Sequence, residues 1–305
     1  MNLLVLLGPT AVGKSKLAIE LAKKLNGEII SADSMQVYKG MDLGTAKLSQ
    51  VEREGIPHHL IDIRNPDESF SVSDFIELAT KAIKNIEGRG KVPIMVGGTG
   101  LYLYAFLEGF SLPIVKGDPE IRERLSKEPL VNLYNRLREI DPQAAKKINP
   151  NDQRRIIRAL EVYELTGQPI SKLQKKEPAT KDYKIAVLGL NLERKEIYQR
   201  IEKRINGMIE KGLIEEVKGL LKRGYSRNLV SMQALGYKEV IDYLDGKYNF
   251  EEMVALLKKK TRNFAKRQMT WFRRFKDVKW LPLPHEKSGE TYPLAEQVLP
   301  YIHFE

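Results

Sequence analysis

The chain has 305 residues, of which 42% are hydrophobic and 30% are charged, with a formal net charge of +11 and no cysteine. This length allows one or two domains with a buried core, and the lack of cysteine excludes a disulfide framework, a thiolate metal site and a cysteine nucleophile. With no secretion signal and no apolar run approaching the roughly 18 residues of a membrane span, we expect a cytoplasmic protein with no membrane partner.

The first predicted element is a strand, because Leu3 to Leu7 form a short apolar run. It leads into a G-x-x-x-x-G-K-S motif, after which a helical apolar pattern begins. Strand, glycine loop and helix form a P-loop, whose backbone N–H groups and helix N-terminus bind a polyphosphate. We expect Lys14 to reach a terminal phosphate and the Ser15 hydroxyl to ligate Mg²⁺; a turn that binds nothing is the alternative. The motif consists of Gly8, Pro9, Thr10, Ala11, Val12, Gly13, Lys14 and Ser15.

Further strands are predicted over 28–33, 57–62, 92–96 and 184–190, with helical patterns among them. Strands that are continuous apolar runs and alternate with helices predict an α/β fold: a P-loop NTPase-like parallel sheet with helices on both faces. Loops at the carboxyl ends of parallel strands lie together. The P-loop, Asp33 and the Gly-Gly-Thr after the 92–96 strand are therefore expected to form one site.

Two adjacent histidines, His58 and His59, lie on the strand predicted over 57–62. Neighbouring residues of a strand point to opposite faces of the sheet. The pair is therefore a poor metal site, and a structural role is expected for both.

The strand pattern is interrupted over residues 116–180, where only helical patterns occur. We predict an inserted all-helical domain there, within a core formed by 1–115 and 181–305. Arg154 and Arg158 lie one helical turn apart in this insertion, which makes them a candidate phosphate clamp. Solvated arginines are the alternative.

Positive charge is concentrated in residues 258–276, which contain nine Lys or Arg and no Asp or Glu. Basic and acidic residues nearly balance elsewhere, so this stretch is typical of an element that binds a polyanion. An apolar seam runs along the same helix from Leu257 to Phe275, and a separate basic stripe includes Lys259 and Lys266. We expect the seam to pack and the stripe to meet phosphates, with a solvated basic helix as the alternative.

Taken in order, the motifs resemble those of bacterial tRNA dimethylallyltransferases, the isopentenyltransferases that modify the adenosine next to the anticodon. The resemblance runs nearly end to end and is far more specific than a P-loop alone. Its motifs are GPTAVGKS (8–15), SADSMQVYKGMDLGTAK (31–47), HHLIDI (58–63), GGTGLYLYA (97–105), RRIIRALEVYELTG (154–167), SMQALGYKE (231–239) and TRNFAKRQMTWFR (261–273). No motif position departs from the family pattern; Ser15 keeps the hydroxyl of the threonine found in many relatives.

The resemblance implies transfer of a dimethylallyl group from dimethylallyl diphosphate to the exocyclic N6 amine of the tRNA adenosine immediately 3′ of the anticodon. The P-loop would then hold the departing diphosphate. Its growing charge would be neutralised by Lys14, Mg²⁺ on Ser15, and the i, i+4 pair Arg200 and Arg204. Because an aryl amine is a weak nucleophile, a carboxylate must take its proton, and Asp33 is the expected general base. A carboxylate that only caps its loop is the alternative.

The resemblance also implies where tRNA binds. Thr99 would orient the acceptor adenosine, which must be flipped out to reach a buried diphosphate. The basic helix and the insertion would hold the anticodon stem-loop from two sides, and a monomer is expected. The residues expected to contact tRNA are Asp33, Ser34, Met35, Gln36, Thr99, Arg122, Arg154, Arg155, Arg158, Lys259, Arg262 and Lys266.

Three other functions fit parts of the sequence. A nucleoside or nucleotide kinase shares the P-loop and the sheet, but has no use for nine basic residues in one acid-free stretch. Prenyl transfer onto free adenine nucleotides is a close alternative, against which the basic helix and the insertion both argue. An RNA-binding protein whose P-loop holds a structural phosphate is the third, and Lys14, Ser15 and Asp33 together speak against it.

Overall fold

The computed structural model describes residues 2–109, 115, 117–173, 180, 183–282 and 295–303. The chain divides into two compact units, a core unit of Met1–Tyr104 with Thr180–Glu305 and a helical unit of Ala105–Ala179. The helical unit begins before residue 116, where the sequence places the start of the insertion. The predicted insertion ends at Thr180, which belongs to the core unit; residues 174–179 lie outside the described residues.

The core unit is built on a six-stranded parallel sheet. The strands are β1 Asn2–Leu7, β2 Gly27–Ala32, β3 His58–His59, β4 Val92–Gly97, β5 Lys184–Asn191 and β6 Lys279–Pro282. Their order across the sheet is β3-β2-β4-β1-β5-β6. In central β1, Leu6 lies opposite Val96 of β4 and Leu188 of β5. Leu3 to Leu7 are fully buried, as expected of a strand covered on both faces, and the predicted α/β fold is confirmed.

Helices surround this sheet and make up the described part of the helical unit. In chain order they are α1 Lys14–Leu25, α2 Val72–Gly88, α3 Gly100–Glu108, α4 Pro119–Ser126, α5 Leu130–Ile140, α6 Pro142–Lys147, α7 Gln153–Thr166, α8 Ile170–Leu173, α9 Arg194–Glu210, α10 Leu213–Lys222, α11 Tyr237–Leu244, α12 Phe250–Phe272 and α13 Ala295–Val298. Short 3₁₀ turns lie at Ser231–Gln233 and Leu299–Tyr301. None of the described helices is long and apolar enough to cross a membrane.

Two helix starts depend on side chains that satisfy free backbone N–H groups. Ser71 caps α2 by accepting a hydrogen bond from the N–H of Asp74, whose carboxylate in turn accepts from the N–H of Ser71. Asn249 and Glu252 form the same reciprocal pair at the start of α12. The helical unit has a core of its own, which includes Leu125, Leu133, Leu137, Ile156 and Leu160.

β3 is shorter than the strand predicted over 57–62. Only His58 and His59 pair with β2. Leu60 and Asp62 follow with φ of 64° and 57°, in the left-handed region that an extended strand does not use. The pattern of apolar residues in the sequence does not predict such a change in backbone conformation.

The C-terminal part of the core unit also differs from prediction. α12 ends at Phe272, so Phe275 continues the predicted seam from a turn rather than from the helix. β6 was not predicted, and it pairs with β5 at the edge of the sheet. A four-residue strand is too short for periodicity to identify.

Candidate active site

The loops after β1, β2 and β4 meet at the carboxyl edge of the sheet, as parallel pairing requires. They border two cavities. The P-loop cavity, of about 300 Å³, is lined by Lys14, Ser15, Gly97 and Gln36 among others. The apolar cavity, of about 430 Å³, adjoins it, and both cavities are lined by Thr10, Asp33, Thr45, Ala46, Gly98, Arg204, Phe264 and Gln268. The predicted grouping of P-loop, Asp33 and Gly-Gly-Thr is therefore present.

The P-loop takes its shape from close backbone contacts. Gly8 has φ of 149°, and a Cβ there would lie 2.5 Å from the carbonyl oxygen of Leu190, so this position requires glycine. Lys14 Nζ donates to the carbonyl oxygens of Gly8 and Pro9, each at 2.8 Å. The ammonium group is therefore held against the loop that would receive a phosphate.

The protonated form of Lys14 would be stabilised by a bound anion. Burial, together with the charge of Arg204, lowers the pKa of Lys14 from 10.5 to about 7, while Asp33 acts in the opposite direction. A phosphate group would stabilise the ammonium form. The charge of Lys14 would therefore respond to an anion that binds in the loop.

The structure places Arg204, but not Arg200, at the P-loop. Arg204 Nη1 donates to Thr10 Oγ1 at 3.0 Å, and Arg204 lines both cavities. Arg200, one turn earlier on α9, forms an ion pair with Glu196 at 2.5 Å. Within the described part of the chain, Arg200 lines neither cavity, which gives no support to its expected role at the diphosphate.

Asp33 follows β2 and faces both cavities. Its Oδ1 accepts hydrogen bonds from the N–H groups of Met35 at 2.8 Å and Gln36 at 3.3 Å, so it does cap its own loop. Burial raises the pKa of the Asp33 carboxyl, against the opposing effects of these backbone bonds and of Lys14. A carboxylate with a raised pKa beside an anion site is suited to accept a proton.

Hydrogen bonds hold the loops after β2 and β4 together. Thr99 Oγ1 accepts from the N–H of Ser34 at 3.0 Å. Gln36 is held by Ser31, whose Oγ donates to Gln36 Oε1 at 2.9 Å, and by its own bond to the carbonyl of Thr45 at 3.3 Å. Ser34 and Met35 line the apolar cavity, so the predicted Asp33–Gln36 segment is divided between the two cavities.

Sequence reasoning missed the wall of the apolar cavity. It is formed by half-buried or buried side chains from α9, α12 and the segment before α11: Ile205, Met208, Ala234, Leu235, Leu257, Phe264 and Trp271. Several belong to the seam that the sequence predicts on α12. Seam periodicity shows which residues face inward, but not that they border a cavity instead of a closed core.

Gln268 was also missed as a site residue. It lies on the same seam with 4% of its surface exposed, and it contacts both the P-loop and the loop after β4. An amide side chain on a largely apolar seam is the sequence signal that could have identified it, because buried amides are nearly always hydrogen-bonded.

The basic stripe of α12 is only partly free. Lys259 and Lys266 are exposed, as expected. Arg262 instead donates to Glu202 of α9 at 3.0 Å and lies over the ring of Tyr198. Of the three residues of this stripe that are predicted to contact tRNA, Lys259 and Lys266 therefore face solvent, whereas Arg262 is already paired with a carboxylate.

In the helical unit, two predicted RNA contacts are engaged by a buried carboxylate. Glu161 is fully buried and accepts from Arg122 Nε at 2.7 Å and from Arg158 Nη1 at 2.6 Å. These arginines lower the pKa of Glu161, although burial opposes them. Arg154 and Arg155 remain exposed. The contacts of Arg158 thus fit an internal ion pair, and they do not support the predicted Arg154–Arg158 phosphate clamp.

The two histidines have structural partners. His59 Nε2 lies 2.7 Å from the carboxylate of buried Glu28, and His58 Nδ1 lies 2.8 Å from the carbonyl of Ile56. Among the described residues, no group of three or more His, Cys, Asp or Glu side chains could hold a metal.

Comparison with known proteins identifies relatives of the whole chain. Residues 36–275 match the family model described as IPP transferase. A tRNA dimethylallyltransferase of Caldanaerobacter subterraneus subsp. tengcongensis is 47% identical over 99% of this chain and 98% of its own length. Another, from Carboxydothermus hydrogenoformans, is 53% identical over 92% and 91%.

Solved structures show the same fold. The tRNA isopentenylpyrophosphate transferase of Bacillus halodurans is 46% identical, with a TM-score of 0.69 over 94% of this chain and 92% of that one. A eukaryotic dimethylallyltransferase, solved acting on tRNA, is 33% identical, with a TM-score of 0.78 over 92% and 74%. The likeness therefore includes both the fold and nearly the full length.

Proposed function

The chain belongs to the IPP transferase family, and on that basis we propose that it transfers a dimethylallyl group from dimethylallyl diphosphate to the N6 amine of the tRNA adenosine 3′ of the anticodon. The observation that carries this proposal is the adjacency of the two cavities. A cationic P-loop cavity suits the diphosphate, and the apolar cavity beside it suits a five-carbon chain. Asp33 lines both, next to the place where the two parts of the donor would join.

The bonds that form and break in this reaction define a role for each of the site residues. The amine nitrogen attacks C1 of the donor, the C1–oxygen bond breaks, and diphosphate leaves with the electron pair. Lys14 and Arg204 would stabilise the charge that grows on the leaving oxygen. Asp33 would accept the proton that the amine loses, which converts a delocalised lone pair into a competent nucleophile. Thr99 would keep the loop of Asp33 in place.

Mg²⁺ fits this site as a partner of the diphosphate. It takes oxygen ligands, and it commonly binds through substrate phosphates and one or two protein oxygens. Ser15 presents an exposed hydroxyl beside Lys14 in the P-loop cavity, and it is the residue that would hold the ion. When bound, the ion would neutralise diphosphate charge.

The anticodon stem-loop of tRNA is the proposed second substrate. The exposed cations Lys259 and Lys266 suit backbone phosphates, and we propose that a monomer binds this substrate. A free nucleotide acceptor would not need these exposed cations on α12. A kinase, which transfers a phosphoryl group, would not need the apolar cavity.

The test is mass spectrometry of an anticodon stem-loop incubated with the protein, Mg²⁺ and dimethylallyl diphosphate. We expect a mass increase of one dimethylallyl group in place of one hydrogen, located on the adenosine 3′ of the anticodon. ATP replaces the prenyl donor in one control, and adenosine monophosphate replaces the RNA in another. Phosphorylated product with ATP would favour the kinase, and efficient prenylation of the free nucleotide would favour the smaller acceptor.

A further inference from the structure

Gln268 joins two loops of the active site through one buried amide. Its Oε1 accepts a hydrogen bond from the backbone N–H of Thr10 at 2.8 Å, and its Nε2 donates one to the carbonyl oxygen of Gly98 at 2.9 Å. The two partners fix the orientation of the amide, because Thr10 can only donate here and Gly98 can only accept. Gln268 therefore links the P-loop directly to the loop after β4.

The bridge is tightly enclosed. A Cβ on Gly98 would lie 2.3 Å from Gln268 Nε2, so the approach of the amide requires glycine at that position. Thr10 also accepts from Arg204 through its hydroxyl, and Thr99, next to Gly98, binds Ser34. The Gln268 bridge thus connects Thr10 and Arg204, beside the predicted diphosphate, with Thr99 and Ser34, beside the predicted base Asp33.

We propose that Gln268 is a positioning residue that fixes the separation of the P-loop from the loop after β4, and so aligns the prenyl donor with the attacking amine. This inference rests on the proposed function. Both polar atoms of the amide are engaged by backbone groups, so Gln268 acts through the loops it joins. Reactions between two bound substrates are sensitive to such alignment: a displacement of about 1 Å can cost on the order of 100-fold in rate.

The first test removes the amide group of Gln268 and keeps the length of the side chain. Gln268→Met is expected to lower the single-turnover rate at saturating substrates by about 100-fold, while the dissociation constants of diphosphate and stem-loop RNA change by less than about threefold. Met253→Ala is the matched control for lost packing, because Met253 is fully buried on the same helix and lines neither cavity. It should lower the melting temperature without lowering the rate.

The second test makes the bridge depend on pH. In Gln268→Glu, an ionised carboxylate would repel the carbonyl of Gly98, whereas a protonated one could donate to Gly98 and accept from Thr10. The rate of Gln268→Glu relative to wild type should therefore rise as pH falls, and that of Gln268→Met should not. The titratable and charged groups that line the two cavities are common to all three proteins, so the ratio to wild type cancels their titration; they are Lys14, Lys16, Asp33, His58, Arg204 and Arg267.

Hydrogen exchange at the Thr10 amide separates this inference from the proposed function. Faster exchange in Gln268→Met, and in Gln268→Glu only at high pH, is expected whether or not prenyl transfer occurs. Wild-type protein that fails to prenylate RNA would overturn the proposed function alone. Unchanged exchange, a Gln268→Met rate like that of wild type, or a Gln268→Glu defect that does not vary with pH would overturn the positioning role.

Discussion

The hydroxyl oxygen of Thr99 accepts a hydrogen bond from the backbone N–H of Ser34 at 3.0 Å, which fastens the loop after β4 to the loop that carries Asp33. Thr99→Val keeps the shape of the side chain and removes this acceptor. We expect the single-turnover rate to fall about 10-fold, which corresponds to one neutral hydrogen bond. Thr99→Ser retains the hydroxyl and should stay close to wild type; a loss in Thr99→Ser, with Thr99→Val close to wild type, would show that the methyl group matters instead.

The pKa of Lys14 predicts that diphosphate binding takes up a proton. The free ammonium group has a pKa of about 7, and a bound anion must raise it. The contribution of Lys14 to diphosphate affinity is therefore fully present below pH 7. Above pH 7 the affinity declines by up to about 10-fold per pH unit. Isothermal titration in buffers of different ionisation enthalpy measures the uptake directly.

Lys14→Arg is the control for that titration, because arginine stays protonated throughout the range. The pH dependence that remains in Lys14→Arg belongs to diphosphate and to other groups, and it can be subtracted. Identical proton uptake in the two proteins would show that Lys14 is already fully charged before the anion binds.

Arg204 and Arg200 predict opposite phenotypes, although they lie one turn apart on α9. Arg204→Ala should weaken diphosphate binding by about 10- to 100-fold through loss of a charged contact. Arg200→Met should leave binding unchanged and lower the free energy of unfolding by about 3 kcal/mol, because it removes one partner of a largely buried ion pair. Titration calorimetry measures diphosphate binding by both variants, and chemical denaturation measures their stability. Weaker diphosphate binding by Arg200→Met would show that Arg200 does contribute to the diphosphate site.

The exposed cations of α12 predict a salt-dependent contribution to RNA affinity. Lys259→Ala with Lys266→Ala should weaken stem-loop binding and reduce the slope of log K against log salt by about 1.5, the value for two phosphates. Arg262→Ala should reduce it less, because Glu202 already partners that side chain. Lys81→Ala with Lys84→Ala, two exposed lysines of α2, is the control of equal charge. A slope that is unaltered by the α12 pair would remove this helix from the RNA interface.

Much of the site could be predicted because parallel strands bring distant segments to one edge. The sequence identifies Asp33, Thr99 and the P-loop as residues that follow apolar runs, and the sheet topology alone then assembles them. Residues on long helices were harder to assign. The sequence pattern places Gln268 and Phe264 on a packing seam, and only the folded structure shows that this seam borders a cavity.

Charge patterns were the least informative part of the sequence. Arg158 and Arg200 were predicted to bind phosphates and Arg122 to contact tRNA, yet each binds a buried or nearly buried carboxylate. A sequence shows that an arginine is present, but not which carboxylate the fold places beside it. Glu161 lies in the same motif as Arg158, only three residues away, and such spacing allows an ion pair as readily as an RNA contact.

Asp33→Asn provides the most direct test of proton removal by Asp33. The amide oxygen can still accept from the N–H groups of Met35 and Gln36, so the loop should hold its shape. Because burial raises the pKa of Asp33, its ionised form lowers stability above that pKa, and Asn should leave the melting temperature at pH 8 equal or higher. Wild-type turnover should decline as pH falls and protonates Asp33.

The decisive measurement is the single-turnover rate of Asp33→Asn at saturating stem-loop RNA and dimethylallyl diphosphate, across pH. A general base predicts a loss of about 100- to 10,000-fold, with the acidic limb of the profile abolished and both substrates still bound. A rate like that of wild type, with the same acidic limb, would contradict proton removal by Asp33.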